Sequence, residues 1–282
     1  WPGYADPDWV QAFEARHGAR VEVTIVGSDE VLRAKLADSR GPGYDVVAAN
    51  TVELEALLAR DELAPLTLAD LPQVARQLPR FRGPIEGIVR GGKTYAVPYT
   101  YSEMGLVYDR QQFSAPPQSL SVLWDPRWRG KVLAFDGATH AFSLAALEQG
   151  QLPFRIAQDQ LAPLARHLVR LRRNLLSLYS LPEESVDLFR RHRVAVMHAN
   201  YGQQQLKLLR DAGFNVGYVV PREGALAWLD CWAVLRRSAQ QALAAQWVNH
   251  MLHPSVSLEL TRRQGLANTL EEPAALDSES LL

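Results

Sequence analysis

The stretch YDVVAANTVELEALLAR, residues 44–60, joins an apolar strand pattern directly to a helix pattern. Tyr44 to Ala49 is short and apolar, as expected for a strand that is covered on both faces. Thr51 to Arg60 has the length and composition of a helix. A strand that leads straight into a helix is the unit of α/β folds. The stretch therefore predicts an α/β fold with a mainly parallel sheet.

The same alternation continues on both sides of this stretch. Val21 to Val26 (VEVTIV) predicts a strand, and Ser28 predicts the start of a helix that runs to about Ser39. Further strands are predicted at 104–108, 132–135, 194–198, 216–220 and 228–235, with helices at 142–148, 156–174, 185–191, 202–212 and 240–252. The segments at 104–108 and 228–235 cross between two α/β units, so the pattern predicts two lobes with a ligand cleft between them.

Composition excludes several classes of function. The chain has 282 residues, of which 47% are hydrophobic and 22% are charged, as in ordinary soluble globular proteins. A net charge of −1 gives no basic surface for nucleic acid, and the basic cluster at 166–173 fits a solvated helix face. With Cys231 as the single cysteine, neither an internal disulfide nor a cysteine zinc site can form. No cofactor is expected.

One motif imitates a nucleotide site. Gly87 to Thr94, GIVRGGKT, satisfies the phosphate-loop pattern of Gly, four residues, then Gly-Lys-Thr. That chemistry needs a helix N-terminus after the loop, but Tyr95 to Pro98 reads as a strand. We therefore interpret the motif as a turn and a strand. An enzyme is kept as an alternative from a different class, either a nucleotide hydrolase that uses this motif or a hydrolase that uses His140 or His198.

The histidines do not form a zinc or catalytic pattern. No His-Glu-x-x-His segment and no Gly-x-Ser-x-Gly elbow occurs in the sequence. His167 is among those expected at the surface of helices. His140 and His198 follow predicted strands, where α/β proteins place ligands, and each is a candidate ligand contact or a structural histidine.

Aromatic residues and one acid suggest the chemistry of an amine site. Trp228 and Asp230 alternate with Leu229 in an extended segment, so they share one face. Ring faces attract a cation, and a carboxylate neutralises it where water is excluded. Other aromatic residues lie in turns before the first helix and before the first crossing segment: Trp1, Tyr4, Tyr99 and Tyr101. These patterns indicate a site for an ammonium group.

Taken in order, several motifs resemble the extracellular solute-binding proteins of bacterial ABC importers, in the branch that binds spermidine and putrescine. The motifs span nearly the whole chain: WPGY (1–4), YDVVAANT (44–51), GGKTYAVPYTYSEMGLVYD (91–109), LWDPRWRGKV (123–132), VAVMHANYG (194–202) and GALAWLDCWAV (224–234). The last is the most specific. Their order and spacing together carry the resemblance.

The resemblance implies a two-lobed periplasmic-binding-protein fold of type II, hinged at two crossing strands and without catalysis. We expect lobe 1 at 1–103 and 232–282, and lobe 2 at 104–231. The family further implies a monomer that delivers its ligand to a membrane permease, and export to the periplasm, although no signal peptide is visible. A sensor that docks on a membrane receptor is a third possibility. Members of the family also have a strand directly before the opening aromatic turn.

The family's roles carry over to several positions of this sequence. Trp228 and Asp230 match the tryptophan and aspartate that hold an amine. Trp1 and Tyr4 match the aromatic walls, and Ser180 matches a polar ligand contact.

The departures from the polyamine binders concern their acids. Gly3, Gly137 and His140 stand where those proteins carry acids, and His198 stands where they carry a tryptophan. A diamine needs a negative partner at each end, whereas a ligand with one ammonium and one carboxylate needs only one acid. The single remaining acid, Asp230, therefore fits a ligand of the second kind. Donors for its carboxylate are expected among Thr139, His140, His198, Asn200, Tyr201 and Gln203.

The sequence thus predicts an ω-amino acid such as 4-aminobutyrate as the ligand. Putrescine or spermidine is the alternative, with Asp136 or Glu103 replacing the lost acids. Arg262 and Arg263 are the arginines nearest the expected cleft edge, where they are equally compatible with solvated positions. The predicted site residues are Trp1, Tyr4, Tyr99, Tyr101, Asp136, His140, Ser180, His198, Tyr201, Trp228 and Asp230, with no metal ligands.

Overall fold

The computed structural model describes residues 1, 3–38 and 43–271. Its α-helices are α1 (Pro7–His17), α2 (Asp29–Ala37), α3 (Thr51–Ala59), α4 (Pro79–Arg82), α5 (Ala138–Glu148), α6 (Gln158–Asn174), α7 (Pro182–Arg191), α8 (Gln203–Asp211), α9 (Gln241–Met251) and α10 (Pro254–Gln264). Its strands are β1 (Val46–Asn50), β2 (Val89–Arg90), β3 (Lys93–Thr94), β4 (Ala96–Met104), β5 (Leu106–Asp109), β6 (Val132–Phe135), β7 (Leu175–Tyr179), β8 (Val196–His198), β9 (Val216–Val219), β10 (Leu226–Val234) and β11 (Ala267–Asn268).

The chain forms two compact units. Unit 1 comprises Trp1–Tyr101 and Trp228–Leu282, and unit 2 comprises Ser102–Ala227. The chain passes from one unit to the other within β4 and again within β10. The lobe boundaries expected from the sequence lie two and four residues later, so the structure assigns Trp228 and Asp230 to unit 1.

Unit 1 is built around a sheet of order β1-β10-β4-β11. In this sheet β1 pairs with β10 and β11 pairs with β4, both antiparallel. Apolar layers cover both faces of this sheet. One contains Phe13, Trp232 and Trp247, and the other contains Leu54 and Cys231.

Unit 2 contains a sheet of order β7-β6-β8-β5-β9. Strand β6 is parallel to both neighbours, whereas β5 is antiparallel to β8 and β9. The mainly parallel sheet expected from the sequence is therefore wrong, because β5 runs against both of its neighbours and β10 runs against β1. The α/β class itself is confirmed.

The segment 21–26 departs from its predicted strand. It forms no strand, and Val23 and Ile25 are 45% and 60% exposed. Within the described ranges, β1 lies at the edge of its sheet, and a groove of about 110 Å³ separates it from this segment. The β-branched composition is correct for a strand, but a strand also needs a neighbour that supplies hydrogen bonds.

Helix α2 begins close to its predicted start. The Ser28 hydroxyl accepts a hydrogen bond of 3.3 Å from the backbone N–H of Val31, as an N-cap residue does. The predicted end of this helix, at Ser39, lies outside the described residues. The structure ends α2 at Ala37.

The phosphate-loop lookalike is a β-hairpin. Strands β2 and β3 pair antiparallel, and Gly91 and Gly92 between them have φ values of 58° and 73°. Two successive positive φ angles are typical of a two-residue hairpin turn. The predicted turn and strand are confirmed, and no helix begins after Thr94, so the nucleotide-enzyme alternative has no structural basis.

His167 corrects another expectation, because it is buried rather than exposed. Its Nε2 lies 2.8 Å from Glu148 Oε2, and its ring stacks on Trp124 with 4.6 Å between centroids. A neighbouring helix and the 3₁₀ turn at Leu120–Trp124 cover it, which the sequence of α6 alone does not reveal.

Candidate functional site

The centre of the candidate site in unit 1 is a buried carboxylate. Asp230 lies on β10 opposite Asn50 of β1, and it is only 6% exposed. The Tyr4 hydroxyl donates a hydrogen bond of 2.7 Å to Oδ2 of Asp230. The opening turn is closed by a bond of 3.2 Å from the Tyr4 N–H to the Trp1 carbonyl. The structure thus brings Tyr4 and Asp230 together, although 226 positions separate them in the sequence.

Burial controls the charge of this carboxylate. It raises the pKa of Asp230 to about 6, against the opposing effect of the Tyr4 hydrogen bond. Burial and the Asp230 charge also raise the pKa of Tyr4 well above its usual value, so the hydroxyl remains a donor. At neutral pH Asp230 is therefore ionised and costly to keep buried, which is the condition under which a cation binds well.

Two polar residues beside Asp230 were missed by sequence reasoning. Asn50 Nδ2 donates to both carboxylate oxygens of Asp29, over 3.1 and 3.3 Å. Asn50 Oδ1 accepts from the Glu53 N–H at 3.0 Å and so caps α3. Asp29 is close enough to contribute to the raised pKa of Asp230. In the sequence, Asn50 is an ordinary helix cap and Asp29 an ordinary acid in the first turn of a helix. Both patterns are common, so neither residue was predicted to belong to the site.

The aromatic residues of unit 1 occupy different surroundings. Trp1 and Trp228 are half-buried and pack against the apolar layer that contains Phe13. Tyr99 is fully buried behind Tyr4, with ring centroids 5.5 Å apart and its hydroxyl donating to the Tyr4 carbonyl over 3.3 Å. Tyr99 is thus in a position to hold Tyr4 in place.

Tyr101 lies in another environment of unit 1. The Arg80 guanidinium lies 4.9 Å from the centroid of its ring and donates to its hydroxyl. The Phe81 ring also packs against the Tyr101 ring, with 5.0 Å between the centroids. Both the ring and the hydroxyl of Tyr101 therefore already have partners.

In unit 2, the buried Tyr179 hydroxyl binds the backbone next to the predicted residues His198 and Tyr201. Its hydroxyl donates to the His198 carbonyl over 2.7 Å and accepts from the Asn200 N–H at 2.8 Å. The Tyr201 hydroxyl donates to the Ser180 carbonyl over 2.7 Å. The backbone of His198 and Asn200 therefore lies at one buried phenol, and the hydroxyl of Tyr201 has a structural partner in Ser180.

The His198 ring is buried, with 2% of the residue exposed. Burial and the neighbouring His140 lower the pKa of His198 to about 4, whereas a hydrogen bond to the Met104 backbone opposes this. At neutral pH the ring is therefore neutral. Its Nε2 has no hydrogen-bond partner within the described part of the chain.

Phe135 links His140 to this cluster. Its ring meets His140 edge-on at 5.1 Å and Tyr201 at 6.1 Å between centroids. Asp136 follows directly, but its side chain is exposed, and its backbone N–H donates to the Tyr179 carbonyl over 2.8 Å. The structure thus brings His140 to the cluster and leaves the Asp136 carboxylate in solvent.

Arg263 is engaged in an ion-pair network at the surface of unit 1. Its guanidinium lies 2.7 Å from Asp8, 3.1 Å from Asp6 and 3.1 Å from Glu259. It also lies 5.3 Å from the centroid of the Trp9 ring. Arg262 pairs with the same Glu259 over 2.8 Å. Both arginines therefore have partners other than a ligand.

Two features are absent from the described residues, a metal cluster and a helix that could span a membrane. Among them, no three His, Cys, Asp or Glu side chains gather in a way that could hold a metal ion. None of the helices in this part of the chain has the length and apolar character needed to cross a membrane.

Comparison with known proteins assigns the family. Residues 8–279 match the model for the bacterial extracellular solute-binding proteins. The chain belongs to this family. As a solute-binding protein it is similar to the spermidine/putrescine-binding periplasmic protein 1 of Haemophilus influenzae, with 25% identity over 282 residues, 99% of this chain and 76% of that protein. The family and this relative are named for binding and not for catalysis, in agreement with the prediction of no enzyme.

Solved structures confirm the two-lobed fold of the solute-binding protein. The spermidine/putrescine substrate-binding protein PotD of Streptococcus pneumoniae has a TM-score of 0.79 at 22% identity, covering 94% of this chain and 80% of that one. The Atu4243-GABA receptor has a TM-score of 0.74 at 15% identity, covering 95% and 79%. At these identities the likeness concerns the fold alone.

Proposed function

We propose that this solute-binding protein captures a small solute with a primary ammonium group, outside the cytoplasmic membrane, for import by an ABC permease. The observation that carries the proposal is the buried carboxylate of Asp230, held by the Tyr4 hydroxyl 2.7 Å away. A buried carboxylate that stays ionised at neutral pH needs a cationic partner. A ligand ammonium fits this need.

The surroundings of Asp230 support an ammonium in preference to other cations. Trp1 and Trp228 are half-buried near the same layer of unit 1 and offer ring faces, which attract organic cations. The acid belongs to no metal-ligating cluster within the described ranges. The charge of the Trp1 ammonium group already acts on it and opposes the rise of its pKa. Trp1, Tyr4, Trp228 and Asp230 are the residues that we assign to the ammonium.

Two ligand classes remain candidates for the solute. A diamine such as putrescine is supported by the similarity to the spermidine/putrescine-binding protein of Haemophilus influenzae and by Asp29, a second carboxylate near Asp230. An ω-amino acid such as 4-aminobutyrate is supported by the loss of the acids at Gly3 and Gly137. We place the diamine first because Asp29 adds negative charge that the sequence argument did not count.

Calorimetric titration of the protein, stripped of carried-over ligand, tests the proposal. The probes are putrescine, spermidine, 4-aminobutyrate and 5-aminovalerate. We expect Asp230→Asn to weaken binding of the responsive probe at least about 100-fold, because a desolvated charge pair loses one partner. The matched control is Asp187→Asn, which removes an exposed acid paired with Arg190 on α7 and should leave affinity unchanged.

The outcomes separate the candidates. Binding of the diamines alone supports the first class, and binding of the amino acids alone supports the second. If no probe binds, or if Asp230→Asn binds as tightly as the parent protein, the amine assignment is wrong. The family and the two-lobed fold would be unaffected.

The closing of the two lobes around the ligand, with hinges near 103–107 and 231–234, stays a prediction from the sequence. So do the monomeric state and the choice between a permease and a sensory receptor as the partner.

A further inference from the structure

Basic residues of unit 2 gather at one end of its sheet. Strands β6, β7 and β8 run parallel, so the residues that precede them lie at the same end. Arg129 precedes β6, Arg173 precedes β7, and Arg191 and Arg193 precede β8. Strand β5 is antiparallel to β8, so Arg110, which follows β5, lies at this end too. We call these five arginines the basic end of unit 2.

A backbone hydrogen bond joins the first two segments of the basic end. The Gly130 N–H donates to the Asn174 carbonyl over 2.8 Å. Since Gly130 follows Arg129 and Asn174 follows Arg173, these two arginines leave the backbone at neighbouring positions. The basic cluster at 166–173, interpreted from the sequence as a solvated helix face, therefore ends beside a second basic segment.

Two further hydrogen bonds add the remaining segments. The Ala195 N–H donates to the Lys131 carbonyl over 2.8 Å, which places the segment that follows Arg193 beside the start of β6. The Asp109 N–H, next to Arg110, donates to the Ala195 carbonyl over 2.9 Å. The arginines therefore come from chain segments that meet, so their positive charges add locally although the whole protein has a net charge of −1.

The charges of the basic end are exposed and not neutralised. All five arginines are exposed, and none of them has an ion-pair partner within the ranges that the structure describes. Acids of the adjoining segments are engaged elsewhere, since Asp125 lies 2.6 Å from Arg127 and Asp187 lies 2.9 Å from Arg190. The Asp109 carboxylate accepts hydrogen bonds from N–H groups of its own turn. An external anion is therefore the available partner.

The layout of the basic end favours a broad anionic surface. The arginines lie at the ends of four neighbouring strands, in the order β7, β6, β8 and β5. Since neighbouring strands are about 4.8 Å apart, the row extends over roughly 14 Å, which is wider than a single phosphate group. A row of this kind can contact several anionic groups at once.

The same surface lacks the apolar centre of a protein interface. Among the described residues, none of the exposed large apolar side chains lies within three positions of these arginines. A protein interface normally buries an apolar core. Anionic phospholipid headgroups, in contrast, attract basic residues through charge alone. The composition therefore favours a lipid surface over a protein partner.

We propose that the basic end of unit 2 binds the surface of a bilayer that contains anionic phospholipids. The location of the protein outside the cytoplasmic membrane is taken from the proposed function. The binding is peripheral and sensitive to salt, because exposed charges carry it. Strands β6 and β8 end at Phe135 and His198, away from the basic end, so this surface is separate from the predicted solute contacts of unit 2.

Co-sedimentation with lipid vesicles tests the proposal. Vesicles of phosphatidylcholine with about one third phosphatidylglycerol are compared with vesicles of phosphatidylcholine alone, each at about 0.05 M and 0.5 M salt. We expect the protein to sediment with the anionic vesicles at low salt. It should remain in the supernatant with neutral vesicles, and with anionic vesicles at high salt.

Two double variants with the same change in charge locate the surface. Arg129→Gln with Arg193→Gln should lower partitioning to anionic vesicles about 25-fold, because each arginine near such a surface contributes about fivefold. The matched control is Arg16→Gln with Arg76→Gln, which removes two exposed arginines of unit 1. It should change partitioning less than about twofold, since these residues lie outside the basic end. Circular dichroism confirms the fold of both variants.

Several results would overturn the proposal. They are the absence of sedimentation with anionic vesicles at low salt, equal sedimentation with neutral vesicles, or the same loss in both double variants. Polyglutamate and a short DNA duplex are tested in parallel. If either binds through Arg129 and Arg193 while the vesicles do not, the surface recognises an acidic protein or a nucleic acid, and the bilayer assignment is wrong.

The amine proposal is tested separately in the same variants. Titration of the Arg129→Gln, Arg193→Gln protein with the responsive amine should give the affinity of the parent protein, because neither arginine is assigned to the Asp230 site. Loss of vesicle binding with unchanged amine affinity therefore supports the surface proposed here. Failure of every amine to bind the parent protein would contradict the amine assignment without changing the vesicle result.

Discussion

Asp230 in unit 1 and His198 in unit 2 are both buried titratable groups, and burial moves their pKa values in opposite directions. The pKa of Asp230 rises to about 6, whereas that of His198 falls to about 4. In each case burial penalises the charged form. The difference is that the acid is still ionised at neutral pH, whereas the imidazole is neutral. The buried acid of unit 1 is therefore charged at neutral pH, and the buried imidazole of unit 2 is neutral.

The largest expected effect is on the pH dependence of stability. Asp230, with its raised pKa, costs about 3 kcal/mol of stability above pH 6, and this cost disappears on acidification towards pH 4. His198, with its lowered pKa, costs nothing above pH 6.5 and about 3 kcal/mol near pH 4. The two effects nearly cancel, so between pH 6.5 and 4 they add little net slope.

Single variants should expose the two opposing effects. In Asp230→Asn only the His198 contribution remains, so the free energy of unfolding should fall on acidification relative to the parent. The His198→Asn variant keeps a side-chain N–H for the Met104 backbone, and only the Asp230 contribution remains in it. Its free energy of unfolding should therefore rise on acidification relative to the parent. Urea unfolding at pH 6.5, 5.5 and 4.5 measures both. If the free energy of unfolding changed with pH in the same way in both variants, the opposite pKa shifts of Asp230 and His198 would be contradicted.

A second, smaller effect concerns ligand binding. An ammonium beside Asp230 stabilises its ionised form, so binding must release a proton below pH 6. Affinity for the responsive amine should therefore fall about tenfold per pH unit below pH 6. Calorimetry in two buffers of different ionisation enthalpy detects the released proton. Unchanged affinity from pH 7 to 5 would contradict a cation at this carboxylate.

The smallest expected effect separates two tyrosines of unit 1. Tyr4→Phe removes the hydrogen bond to Asp230 and should weaken amine binding about fivefold. Tyr101→Phe changes a residue whose hydroxyl already contacts Arg80, and it should leave affinity unchanged. Titration of both variants with the same probe compares them. A larger loss in Tyr101→Phe would return this residue to the site.

Much of the fold was predictable because its elements are decided locally. The strand at 132–135 and the helix that begins at Thr51 were predicted with nearly their observed bounds. The strand predicted at 21–26 does not form, because pairing depends on a neighbouring strand and not on β-branched composition. The buried position of His167 likewise depends on Trp124, 43 positions away.

The candidate site was predictable only in part. Alternation along one strand placed Trp228 and Asp230 on one face, and the resemblance placed Tyr4 in the same site. The hydrogen bond from Tyr4 to Asp230 was not predicted. Asp29 and Asn50 were missed because each already had an ordinary role at a helix start. The lowered pKa of His198 depends first on its burial and then on the neighbouring His140, which no sequence pattern reveals.

The edge of β1 described above has a consequence for handling the purified protein. In the described residues, β1 offers unpaired backbone groups beside an apolar groove, and Val23 and Ile25 are exposed next to it. An open apolar edge is a template for a strand from another molecule. The storage life of the protein at high concentration should then be limited by edge-to-edge association between molecules. Dilution, or replacement of Val23 and Ile25 by charged residues, should prolong the storage life more than substitutions that only raise thermal stability.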